Sequence, residues 1–181
     1  MGIFKVIRNT SDELDYLYNV LNYTMSIHTD YDKRYSPNVD KYHAYEQFLS
    51  VKKYFGKTSG NPAFHFIVVY DARSTWGDNY ERAESMSRSI ASYFSNKYQI
   101  VYAIHRKSCS KKYGSCASVY HAHFVMNSVS YMDGTMFSGN RSEIYAFLDY
   151  IKQVTGDKSW VTQYGSEKET GHQGVSDAVA V

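Results

Sequence analysis

The hydrophobic pattern along the chain switches between two periods. Residues 3–8, IFKVIR, alternate apolar and polar, the period of a strand with one covered face. Thr10-Ser11-Asp12-Glu13 has the form of a capping box. Beyond it Leu14, Leu17, Tyr18, Leu21 and Met25 recur at helical spacing. They predict a helix over 11–25, with Tyr16 and Tyr23 projecting from its opposite face. Residues 26–40 are polar, contain Pro37 and predict a loop. KYHAYEQFLSVKKYF (41–55) predicts a second helix, ended by the turn KTSGNP. AFHFIVVYDA (63–72) is rich in aromatic and β-branched residues and predicts a buried strand. Ala83, Met86, Ile90 and Phe94 mark one side of a long helix opened by Asp78 and Glu81 and running to about 96.

The remaining pattern is mostly extended. YQIVYAIH (98–105) and VYHAHFVMNSVSY (119–131) predict strands joined by a polar, basic hairpin loop, RKSCSKKYGSCAS (106–118). MDGT then predicts a turn and MFS a short return strand. SEIYAFLDYIKQV (142–154) predicts a last helix, with Ile144, Phe147, Leu148 and Ile151 on one face. The order β-α-α-β-α-β-β-β-α predicts an α+β domain: a mostly antiparallel central sheet of about five strands, with helices packed on one face. The domain is expected over 1–158. Residues 159–181 become polar and Gly-rich and are expected to be a flexible tail or the start of a further C-terminal region.

Composition narrows the class only a little. A chain of 181 residues can bury one proper core. A net charge of +2 does not by itself announce a nucleic-acid partner. Nineteen tyrosines are unusual, and fit either base stacking or a compositional bias. Two cysteines, Cys109 and Cys116, are too few for a disulfide framework and read as free thiols. The absence of a signal-like apolar segment, a membrane-length run or a myristoylation pattern predicts a cytoplasmic protein with no membrane partner.

The chemistry enters with VYHAHFVMNSV (119–129). Strand periodicity puts His121, His123, Val125 and Asn127 on one face, and Ala122, Phe124 and Met126 on the other. In the preceding strand His105 shares a face with Val101 and Ala103. A hairpin between the two strands can set His105 beside the pair. Three imidazoles on one face would form a facial metal site with open positions, suited to Mn, Zn, Ni, Co or Fe. Against this stands the plain reading of surface or core histidines. His65 reads as a fourth imidazole, a phosphate contact or a buried hydrogen-bonded residue. His28, His43 and His172 read as surface residues.

HAHFVMNSV resembles the His-hydrophobe-His signature of conjugative relaxases, the HUH endonucleases. Its surroundings, YFGKTSGNPAFHFIVVYD and NSVSYMDGTMFSGNRSEIYAFLDYI, are similar to the MobA/VirD2 (MOBP) class of mobilisation proteins. The likeness runs from about residue 10 to 155. It implies a metal-dependent, site- and strand-specific enzyme. In it a tyrosine attacks a DNA phosphodiester at an origin of transfer, forming a 5′-phosphotyrosine and a free 3′-OH. The stretch LYNVLNYTM points to Tyr23 as that nucleophile, with Tyr16 as the alternative. Metal ligands would be His105, His121 and His123, holding a divalent ion: Mn or Mg in function, with Zn, Ni or Co also suited to the site. Asp71 and Asp30 are candidate general bases. Asn127 would orient a ligand, touch DNA, or simply end a strand. The family's link from the first histidine to the pair is usually short. Here Arg106, Lys107, Lys111 and Lys112 lie in a longer insertion, placed to grip phosphates or to form a solvated hairpin tip. Expected partners are single-stranded DNA or a hairpin at the origin of transfer and accessory relaxosome proteins, in the transfer of a plasmid or integrative element. Two other readings remain. One is a rolling-circle replication initiator, for which Tyr164 is the only tyrosine beyond the last helix. The other is a non-catalytic DNA-binding module.

Overall fold

The structure, a computed structural model, describes residues 2–8, 14–25, 34–70, 79–107 and 119–166. The elements in chain order are β1 (Gly2–Arg8), α1 (Leu14–Thr24), β2 (Arg34–Tyr35), α2 (Ala44–Tyr54), β3 (Ala63–Val69), α3 (Tyr80–Ser95), β4 (Tyr98–Lys107), β5 (Val119–Ser130), α4 (Arg141–Thr155) and β6 (Trp160–Ser166). The strands form one sheet in the order β2-β4-β5-β3-β1-β6. All neighbours are antiparallel except β1 and β6. The α+β class and the mostly antiparallel sheet are as the sequence predicts.

Alternation along the strands divides the molecule into two layers. Phe4, Phe66, Ile100, Tyr102, Phe124 and Met126 point to one face, where they pack against Ile90 and Phe94 of α3 and Phe147 and Ile151 of α4. Val101 and Val125 point to the other face and meet Leu17, Val20 and Leu21 of α1 and Phe48 of α2. The helices therefore cover both faces, not one. Each of the two pairs has an apolar stripe too wide to leave in water, and the sheet has two apolar sides to offer.

Three further expectations change. MFS does not form a return strand; it makes a single bridge, Met136 to Val129. The expected tail instead begins as β6, paired in parallel with β1 from Trp160 to Ser166. Gly2 permits this, because a Cβ there would lie 2.6 Å from the Trp160 ring. Trp160 Nε1 in turn donates to Thr155 Oγ1 at 3.2 Å, fixing the turn out of α4. Asn79, not Asp78, caps α3, its side chain accepting from Arg82 N at 3.0 Å. The Thr10–Glu13 box, His28, His172, Cys109 and Cys116 lie outside the described residues.

Asn127 and Lys52 show how polar groups close the end of the smaller layer. Asn127 is fully buried. Its Nδ2 donates to Phe48 O at 3.1 Å and Gln99 Oε1 at 2.9 Å, and its Oδ1 accepts from Val129 N at 3.2 Å. It ties α2 to the sheet and has no surface for DNA, which corrects the expectation of a DNA or ligand contact. Lys52, almost fully buried, donates from Nζ to Ser128 Oγ at 2.6 Å, and burial pulls its pKa down to about 8.

Replacing Asn127 by Ala should cost about 2–4 kcal/mol in denaturant unfolding, because three buried backbone or amide groups lose a partner at once. Lys52 carries a different signature. The unfolded chain holds its proton up to about pH 10.5 and the folded chain only to about 8. This group therefore adds to stability as pH rises through that window. Lys52→Met should flatten that rise in Tm between pH 8 and 10, measured by thermal melts against the wild type.

Candidate metal centre and nucleophile

The site is a product of register. In the β4–β5 ladder His105 lies opposite His121, and Ala103 lies opposite His123. All three imidazoles stand on the α1 side of the sheet, as strand alternation requires. Their ring centroids are 5.5 Å (His105–His121), 4.6 Å (His105–His123) and 5.2 Å (His121–His123) apart. One nitrogen from each lies within 4.8 Å of the others. Two nitrogens on one tetrahedral metal ion sit about 3.4 Å apart, so small rotamer shifts close the set on an ion.

The donor chemistry fits a metal as well as the spacing does. His123 is 1% exposed and its Nε2 has no hydrogen-bond partner among the described residues. Burial, together with the neighbouring His65, His121 and His105 and the more remote Lys5, holds its pKa well below the ordinary histidine value. The ring is thus neutral, the form that ligates. His105 Nε2 donates to the carbonyl of Thr24 at 3.2 Å. A neutral imidazole that donates from Nε2 carries its lone pair on Nδ1. These residues can hold a divalent ion with three ligands and leave further positions open.

Thr24 closes α1, and the residue before it is Tyr23. Its ring centroid is 5.4 Å from that of His123 and 6.4 Å from that of His105. The side chain is 37% exposed, so it is both against the cluster and open to a ligand. Partial burial raises its pKa, so the phenol keeps its proton until something takes it. The nucleophile candidate and the ligand candidates, about a hundred residues apart in the chain, share one surface.

The other sequence candidates distribute differently. Tyr16 was expected to share a solvent face with Tyr23, but it is 3% exposed and packs in the α1–α2 layer. Tyr18, expected on the core side, is 52% exposed and packs edge-on to Tyr45. The stripe of α1 runs through Tyr16, Leu17, Val20, Leu21 and Thr24. Val20 decides it: one turn after Tyr16 comes Val20, whereas one turn after Tyr18 comes the polar Asn22. Tyr23 therefore faces the sheet, over the histidines of β4 and β5, not away from it. His65 is 2% exposed and hydrogen-bonds to His123, so it backs the cluster and cannot reach DNA. Arg106 points to the opposite face, with its guanidinium 5.7 Å from the Tyr120 ring centre. Lys107 ends β4. Lys111, Lys112, Asp30 and Asp71 lie outside the described residues.

Lys5 was not singled out in the sequence. It follows His123 and Ile67 across the sheet on the α1 side, and its charge acts on His123. The signal was the polar position in IFKVIR, which strand alternation puts on the same side as Ile3 and Ile7.

Residues 22–160 match the family of relaxases described as MobA/VirD2-like, nuclease domain. Comparison with curated proteins and with solved structures returns no match. The matched span covers most of the chain and includes Tyr23, His65 and the three clustered histidines. The chain belongs to the MobA/VirD2-like relaxases of the HUH class, and its domain is their DNA-acting nuclease domain.

Proposed function

We propose that this domain is a metal-dependent, site- and strand-specific relaxase in which Tyr23 attacks a DNA phosphodiester at an origin of transfer. The observation that carries the reading is the Tyr23 ring lying against His105 and His123, at 6.4 and 5.4 Å between ring centres. In this reaction the Tyr23 oxygen forms a bond to phosphorus and the P–O3′ bond breaks. The 5′ end stays on the protein as a phosphotyrosine, and the 3′ oxygen leaves and takes up a proton. The phosphodiester energy is kept in the new bond, so the nick can be resealed, as transfer of a plasmid or integrative element requires.

When bound, a divalent ion would polarise the non-bridging oxygens of the scissile phosphate. His105, His121 and His123 would hold it. The protein's own part is positioning. The C-terminal end of α1 is tied through the Thr24 carbonyl to His105, so the attacking residue and the first ligand move together. The raised pKa of Tyr23 requires a proton acceptor during attack, the role for which Asp30 and Asp71 were considered. The substrate in this reading is a single strand or hairpin at the nick site, presented with accessory relaxosome proteins.

The rolling-circle alternative needs a tyrosine after the histidines to reach them. Tyr164 pairs with Val6 on β6, so it stands on the α3–α4 side of the sheet, and β6 is three strands from β5. That placement favours Tyr23.

Incubation with an oligonucleotide bearing the cognate nick site and Mn²⁺ or Mg²⁺ should yield a covalent adduct that peptide mapping places on Tyr23. Tyr23→Phe should abolish the adduct and leave binding of the oligonucleotide within a few-fold. Tyr16→Phe should still form it. An adduct formed by Tyr23→Phe would overturn the assignment, and a wild type that binds DNA but never cuts would favour a binding module. Removing metal with EDTA should stop cleavage, and added Mn²⁺ should restore it. His123→Ala should weaken Mn²⁺ or Zn²⁺ binding in calorimetry by more than the roughly 10–100-fold that follows loss of an outer partner.

A further inference from the structure

Among the described residues, His65 is the one buried imidazole on the site face that does not belong to the three-histidine group. It enters from β3, where it pairs with Val125, one position diagonal to His123. Its Nε2 lies 2.9 Å from His123 Nδ1, and the two rings are stacked with centroids 5.2 Å apart. A neutral pair at this distance has two arrangements. Either His65 donates from Nε2 and the His123 proton sits on Nε2, or His123 donates from Nδ1 and its Nε2 carries a lone pair. Only the second can ligate. In the first, an N–H would point from His123 Nε2 with no acceptor, since that buried atom has no partner among the described residues.

We propose that His65 is a positioning residue for His123. Its Nε2 accepts the His123 Nδ1–H, which keeps the His123 proton off Nε2 and leaves that lone pair for the ion. Metal-bound histidines usually donate their second N–H to a carboxylate, a carbonyl or water. Here a neutral imidazole takes that place. After burial, the groups that hold down the His123 pKa include its neighbours His65, His121 and His105 and the charge of Lys5. A neutral acceptor orients the ligand without cancelling any of the ion's charge. The centre so built trades some affinity for a stronger pull on an anionic phosphate.

The inference rests on the three histidines being a metal site, and the experiment separates the two. Long-range ¹⁵N–¹H NMR of the metal-free wild type should show His123 protonated at Nδ1. Zn²⁺ and Mn²⁺ titrations by calorimetry should then show His65→Leu binding about 10–100-fold more weakly than wild type. His65→Gln, whose side-chain oxygen can accept in place of Nε2, should bind within a few-fold. If wild type takes up neither ion, the metal reading fails and this proposal with it. If wild type binds and a folded His65→Leu binds equally well, only the role of His65 is overturned. Should His65→Leu not fold, the wild-type tautomer decides: a proton on His123 Nε2 overturns the proposal, and one on Nδ1 supports it.

Discussion

The antiparallel register between β4 and β5 is the constraint on which the site depends. It sets His105 against His121 and places His123 two positions along the same face, opposite Ala103. A slip of β5 by one residue would turn His121 and His123 to the other side of the sheet, away from His105. The opposite face prevents that slip. Tyr102, Ile104, Ala122, Phe124 and Met126 are all buried against α3 and the rest of the larger core. Burial of apolar surface at roughly 25 cal/mol per Å² makes exposing such a row far more costly than any preference among the histidines. The hydrophobic face chooses the register, and the histidine face inherits it.

The same two strands also hold α1, the helix that carries Tyr23. Val101 and Val125 lie on the histidine side of β4 and β5 and receive Leu17, Val20 and Leu21 of α1. Their packing, together with the bond from His105 to the Thr24 carbonyl, fixes where α1 ends. Tyr23 is therefore presented by residues only a few positions from the clustered histidines in each strand. Packing of this kind is what positioning of a reactive group needs.

Polar groups on that face flank a second, smaller apolar core. Asn127 has its three hydrogen bonds inside the protein, Lys52 has Ser128, and His65 has His123. Burial pushes the pKa of His65 down to about 3 and that of His123 far below the usual range. Low dielectric disfavours the charged imidazole, and a neutral imidazole is the form that ligates. The ordinary cost of burying charge thus keeps these imidazoles in the form that can bind a metal.

Strand periodicity alone settled much of this from the sequence. The pairing of His121 with His123 on one face, of His105 with Val101 and Ala103, and, by helical spacing, the apolar stripe of α4 all follow from residues two to four apart, within one element. The choice between Tyr16 and Tyr18 was written there too, in Val20 against Asn22, but two tyrosines flanking one leucine are nearly equal in hydrophobicity. What the tertiary structure alone decided is what crosses between elements. It turned Tyr23 toward the histidines, made Asn127 a structural tie, and put His65 behind His123. It also drew Trp160–Ser166 into the sheet, and sent helices to both sides. Local patterns tell which side of an element is buried, but not what buries it. That depends on which surfaces meet, and here they meet across gaps of about a hundred residues and more, as where β1 pairs with β6.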